Sequence, residues 1–149
     1  MRKEINAYQL DKRIFVHSKK GTQSVPAFAE PLYQLSTDED PILIGKKVRE
    51  CIEAYQPGSE RYTREDWKKV NDPLIKLAGE KSSKAFFKKV LYVPISLIND
   101  KLTLFPSVNA GSDGFKNTEH PNIELDYSAA TDEDLGKALL KAFELSSIA

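Results

Sequence analysis

Two histidines, one cysteine and a scatter of carboxylates are the groups with which this 149-residue chain could do chemistry. Nucleophilic or acid–base catalysis needs such groups to converge with matched acidity. Here they stand apart along the chain. His17 alternates within Arg13-Ile14-Phe15-Val16-His17-Ser18 and reads as a surface or edge histidine of a strand. His120 precedes Pro121 in a polar stretch and reads as an exposed loop histidine able to touch a partner. Cys51 shares an apolar stripe with Val48, Ile52 and Tyr55, where a thiol acts as a small buried hydrophobe rather than a nucleophile. The carboxylate clusters Asp38-Glu39-Asp40 and Asp132-Glu133-Asp134 open helical patterns, where acids complement the helix dipole. No histidine pair has metal-ligand spacing, so neither a metal nor a cofactor is expected.

Two further patterns invite a chemical reading. Gly111-Ser112-Asp113-Gly114 is glycine-rich but lacks the lysine and the strand-to-helix context of a phosphate-cradling loop. Lys46-Lys47, Lys68-Lys69 and Lys88-Lys89 stand as basic pairs, the last near Phe86, Phe87 and Tyr92, an arrangement that suits a nucleic-acid surface with stacking aromatics. Acids flank the first two pairs and the aromatics fall at core spacing, so solvated faces are the expectation.

The elements that must position these residues follow from periodicity. Arg13 to Ser18 reads as a strand ending at the Lys19-Lys20-Gly21-Thr22 turn signal, with Ile5 to Leu10 as a hairpin partner. Pro26 and Pro31 make the next segment irregular or an edge strand. Ile44, Val48, Cys51, Ile52 and Tyr55 predict a helix over 41–55 that stops at Pro57-Gly58. Trp67, Val70, Leu74 and Leu77 predict another over 64–79, which Asn71-Asp72-Pro73 can kink or split. Val90 to Ile98 and Leu102 to Phe105 alternate about Asn99-Asp100, a hairpin signal, and Pro94 asks for an edge facing solvent or a bulge. The span from Pro106 to Pro121 is too rich in turn formers for regular structure and reads as a long loop of the kind that binds partners or merely connects. Ile123 to Tyr127 predicts a strand. Thr131 caps a last helix over 131–146 with Asp134 in a box-like arrangement.

These elements make one α+β domain spanning 1–149, an antiparallel sheet packed against about three helices. At this length one core suffices. Twenty-two basic and 22 acidic side chains give zero net charge, so no whole-chain field favours nucleic acid or an anionic membrane. The distribution is uneven, with six basic groups against two acids in residues 1–20 and seven acids against two lysines in 117–149. One cysteine forbids an intrachain disulfide, no apolar run suits a signal peptide or a membrane span, and a cytoplasmic home is the expectation.

One internal similarity stands out. Thr37 to Asp40 followed by Ile44-Gly45-Lys46-Lys47-Val48 recurs as Thr131 to Asp134 followed by Leu135-Gly136-Lys137-Ala138-Leu139, the first copy with Pro41-Ile42-Leu43 inserted. Two similar helix starts account for it, and two copies are too few for a solenoid.

The order of Gly79 to Lys89, a strand, the Asn99-Asp100-Lys101 turn, Leu102 to Pro106, and Thr131 to Leu139 resembles the CdiI family of contact-dependent growth inhibition immunity proteins, over about residues 79–145. The resemblance implies a cytosolic protein that binds the C-terminal toxin domain of a cognate CdiA effector as a 1:1 heterodimer. Many such toxins are nucleases, with RNase the favoured chemistry here, and the immunity protein itself has no catalytic task. The resembling residues are mostly caps, turns and core positions, and they identify no toxin contact.

A nuclease cleft is basic because it must attract phosphate, and an inhibitor can answer it with carboxylates. On that ground Asp113, Glu119 and Asp126 are candidate toxin-binding residues, with Phe115 as apolar anchor and His120 as hydrogen-bond donor. The competing readings are a stand-alone small-molecule or nucleic-acid-binding module, and a small hydrolase assembled from His120, Asp113 and Glu119.

Overall fold

The computed structural model describes residues 2–149. Strands β1 (Arg2–Leu10) and β2 (Arg13–Thr22) form an antiparallel hairpin closed by Asp11-Lys12, with Leu10 opposite Arg13. Asp11 takes a positive φ of 54°, which aspartate tolerates better than most residues. The strand does not end at Lys19, as the Lys-Lys-Gly-Thr signal suggested. Lys19 and Lys20 pair with Phe28 and Ala27 of β3 (Ala27–Ser36), so the turn comes after Thr22. As the prolines required, β3 lies at the sheet edge.

Helix α1 (Pro41–Glu53) is followed by β4 (Gln56–Glu60), two short helices α2 (Arg64–Lys69) and α3 (Asp72–Ala78), and a further turn of helix, α4 (Ser83–Phe87). The break between α2 and α3 falls at Asn71. Pro73 lacks an N–H and is accommodated only in a first helical turn, so the helix restarts there. The β4 strand has no counterpart in the periodicity. It runs parallel to the end of β2, through Lys20 opposite Gln56 and Thr22 opposite Glu60, and all five of its residues are exposed.

Strands β5 (Leu91–Ile98) and β6 (Lys101–Leu104) form the expected hairpin, with Asn99 and Asp100 both at positive φ. Pro94, however, lies in a strand flanked on both sides, by β1 and β6, and not at an edge. Its carbonyl accepts the Phe105 N–H at 3.0 Å, and the N–H and C=O of one residue point to the same side of an antiparallel strand. The missing donor therefore faces the end of the β6 ladder, which closes at Ile95 opposite Leu104. Strand β9 (Ile123–Asp126) completes the main sheet, in the order β3-β2-β1-β5-β6-β9 with β4 beside β2. The 106–121 segment is not irregular. It holds β7 (Ser107–Asn109), a 3-10 turn at Gly111–Asp113 and β8 (Phe115–Asn117), and after α5 (Asp132–Glu144) the strand β10 (Ser147–Ile148) joins them in a three-stranded sheet.

Alternation assigns the two faces. Ile5, Ala7, Ile14, Val16, Val93, Ile95, Leu102 and Leu104 point to one side and are buried under α1 and α5. Each of the valine, leucine and isoleucine side chains contributes about 1.5–3 kcal/mol when fully buried. The repeated Ile/Leu-Gly motif now acquires a physical meaning. A Cβ on Gly45 would lie 1.7 Å from the Asp132 carbonyl oxygen, and one on Gly136 would lie 1.8 Å from that of Pro41. Each glycine meets the carbonyl of the other helix's first residue, so the two similar starts form a pseudo-twofold crossing with backbone against backbone. Thr131 caps α5 in a reciprocal box with Asp134, while Asp40 alone caps α1 by accepting the Ile42 N–H at 2.9 Å. Cys51 is fully buried in this layer. Its thiol is pushed up to about 12, by burial first and then by Glu50. On the opposite face, Tyr8, Leu10, Phe15, Leu74, Ile75, Ala78, Phe86 and Val90 form a second, smaller core under α3 and α4.

Candidate functional site

The segment carrying most of the candidate contacts is fixed by its polar side chains. Asn109 is only 2% exposed, donates to the carbonyls of Phe87 at 2.9 Å and Val90 at 2.8 Å, and accepts the Gly111 N–H at 3.0 Å. Ser107 donates to the Tyr92 carbonyl at 2.6 Å, and its N–H is accepted by the Ser146 hydroxyl at 3.1 Å. Gly111 and Gly114, at φ of 63° and 80°, let the hairpin turn back so that Ala110 N–H reaches the Gly114 carbonyl at 2.8 Å.

On this frame the candidates separate into three places. Asp113 is exposed in the turn, and Phe115 packs half-buried against Tyr92 with ring centroids 4.8 Å apart. Glu119 and His120 lie beyond the other end of β8, both exposed, along a groove of about 370 Å³ that Glu144 and Ser146 also line. Thr118 accepts the His120 N–H at 3.0 Å and donates to its carbonyl at 3.2 Å, a local turn. Asp126 is exposed at the far end of β9, opposite Lys101. Glu119 and His120 therefore share one groove, which Asp113 does not line. Among the described residues no three His, Cys, Asp or Glu side chains stand together as metal ligands.

A cluster that the sequence did not reveal lies on the second face of the sheet. Asn6 is its hub, donating to the Tyr8 hydroxyl at 3.2 Å and accepting from the Tyr92 hydroxyl at 3.1 Å and from Lys19 Nζ at 3.4 Å. The rings of Tyr8 and Tyr92 stack at 4.9 Å. His17 lies beside them and is buried, not at a surface or an edge, with Phe28 at 4.6 Å and Tyr8 at 6.0 Å between ring centroids. It alternates with Val16 as the sequence shows, but alternation alone could not show that its face is also covered. His17 Nδ1 donates to the Ser18 carbonyl at 2.7 Å, and Nε2 has no hydrogen-bond partner among the described residues.

Burial governs the acidity of this cluster. It lowers His17 to about 4, with Lys19 adding to the effect and the Ser18 hydrogen bond opposing it. Tyr92 is pushed up to about 12, by burial and then by Glu4, and Tyr8 is raised well above its ordinary value, by burial and then by Tyr92. Lys19 is lowered, again chiefly by burial. The tyrosines and His17 thus keep one protonation state near neutrality, which suits a hydrogen-bonded packing element better than a proton-transfer site. Register across β1, β2 and β5 is what assembles it, and no local spacing encodes that register.

A family model described as CdiI, CDI immunity protein, matches residues 3–146. No curated protein matches the sequence. Among solved structures, the chain is similar to the CdiA-CT/CdiI toxin and immunity complex from Yersinia pseudotuberculosis, with a TM-score of 0.78, 16% identity and 98% of each chain covered. It is also similar to a protein of unknown function from Neisseria meningitidis, with a TM-score of 0.75, 18% identity and coverage of 96% of this chain and 93% of that one. At such identities the likeness is one of fold. Among the described residues no helix is long and apolar enough to cross a membrane.

Proposed function

We propose, since the chain belongs to the CdiI family of CDI immunity proteins, that residues 1–149 form one cytoplasmic immunity domain that binds the C-terminal toxin domain of a cognate CdiA effector in a 1:1 complex. The family match over residues 3–146 carries this reading. The fold shared with the Yersinia toxin and immunity complex supports it. The inhibitor needs no catalysis of its own, only occupancy of a surface that the toxin requires. The proposed target is a nuclease, an RNase by preference, and the exposed carboxylates suit the basic cleft of either kind.

The contact surface in this reading runs along the small sheet and the end of β9. Asp113, Glu119 and Asp126 are exposed and have no salt bridge among the described residues, so their charge is free to answer a basic cleft. Phe115 supplies an apolar anchor already fixed by Tyr92, and His120 a hydrogen bond beside Glu119. Co-expression with the C-terminal toxin domain of a cognate CdiA effector tests the proposal. Host survival with copurification of the two chains is the expected result, and growth arrest with the chains separating on purification would reject it.

A further inference from the structure

Between α4 and the tip of the β7–β8 hairpin lies a cleft of about 440 Å³, lined by Lys84, Phe87, Lys88, Gly111, Gly114 and Phe115. Its two walls are tied together by Asn109, which bonds the Phe87 carbonyl on one side and the Gly111 N–H on the other. The aromatic walls are backed from below, Phe87 by Tyr8 at 5.6 Å and Phe115 by Tyr92 at 4.8 Å between centroids. Both rings are half-buried, with a flank left for the cleft. Asp113 is exposed and does not line it.

The rim is cationic and unneutralised. Residues 81–89 hold four lysines and no acid. Lys89 is paired with Glu80 at 2.8 Å, but Lys84 and Lys88 form no salt bridge among the described residues. Like charges one helical turn apart repel by about 0.2–0.5 kcal/mol, a cost that an anion seated between them removes. Two ammonium groups beside fixed aromatic walls call for a ligand in which a dianionic group is joined to a flat apolar ring. Lysine binds phosphate as a point charge, phenylalanine stacks on a base, and the volume falls in the range of small-ligand sites, roughly 300–1,000 Å³.

We propose that the cleft between α4 and the β7–β8 turn binds a nucleoside monophosphate unit, the base against Phe87 and Phe115 and the phosphate between Lys84 and Lys88. The assignment goes beyond the immunity reading and does not depend on it. Titrating the full chain with adenosine monophosphate, adenosine and inorganic phosphate, followed by amide NMR shifts, tests it directly. The nucleotide should give saturable shifts confined to residues 84–88 and 111–115, with adenosine and phosphate each at least about tenfold weaker. The K84Q/K88Q variant, which keeps the apolar contacts, should lose about tenfold or more in nucleotide affinity with an otherwise unchanged spectrum. A short single-stranded RNA with a 5′ phosphate separates the sources of the unit. Tighter binding at the same residues assigns a strand end, and equal or weaker binding assigns the free nucleotide. Four results would overturn the proposal: no saturable shift with the nucleotide, phosphate alone binding as tightly, unchanged affinity in K84Q/K88Q, or displacement of the nucleotide by an acidic peptide.

Discussion

On one face of the sheet, α1 and α5 meet backbone to backbone at Gly45 and Gly136 over an aliphatic layer. On the other, two short helices lie over a second core next to stacked tyrosines, a buried histidine and an asparagine hub, with a cleft and a hairpin carrying the exposed Asp113 beside them. The first face is mostly aliphatic and has little freedom to repack, since the atoms in contact at the crossing are main chain. The second contains groups whose hydrogen bonds must be satisfied one by one and helices of five to seven residues. Backbone-locked packing is thus concentrated on the glycine side, while the cleft lies by the other face and the Glu119–His120 groove reaches the end of α5.

The sharpest way to break this contrast is at the crossing. Gly45→Ala and Gly136→Ala each place a methyl group on a backbone oxygen that no rotamer change can move, so each should destabilise by about 3 kcal/mol. Denaturant melts should show similar losses for the two, and a double variant that loses less than their sum, because both force the same separation of helices. Independent, additive losses would show that the pseudo-twofold contact is not shared.

On the opposite face the expected sensitivity is to acid. An unfolded His17 takes up a proton as pH falls through 6.5, whereas the folded one resists until about 4. Across that window the unfolded state binds more protons, so stability is full above pH 6.5 and falls as pH drops towards 4, by about 3 kcal/mol from this residue. His17→Phe, which suits the ring environment of Tyr8 and Phe28, should flatten the acid limb of stability against pH. An unchanged limb would contradict the buried neutral imidazole.

A smaller loss is expected where Asn109 ties the β7–β8 hairpin to α4. Asn109→Ala removes the amide from two buried-side carbonyls and should cost about 2 kcal/mol, with faster hydrogen exchange at Gly111 and in the turn after it. Smallest of all, Asp113→Lys with Glu119→Lys should leave stability within about 1 kcal/mol of wild type while slowing association with a basic partner at low salt. A wild-type association rate would remove the hairpin from the contact surface.

How much of this was legible in the sequence follows the same divide. The α1 and α5 stripes, the Thr131 capping box, buried Cys51 and the Asn99-Asp100 hairpin are local signals, and each appears where its spacing placed it. The Ile/Leu-Gly repeat was visible, but its meaning needed the helices side by side. On the second face the determining facts are long-range. His17 is buried because Tyr8 and Phe28 cover it, β4 exists because β2 extends past its expected end, and β7 is held through Asn109 to Phe87 and Val90 and through Ser107 to Ser146, in distant parts of the chain. Of the candidate contacts, exposure of the charged residues followed from composition, but that Glu119 and His120 share a groove from which Asp113 is turned away did not.

The division of labour between the two faces is tested most directly by hydrogen exchange of the chain alone and in complex with its cognate toxin domain. The account predicts slowed exchange in residues 110–126 and none on the solvent sides of α1 and α5. A footprint on the α1–α5 layer, with the β7–β8 hairpin unchanged, would contradict it.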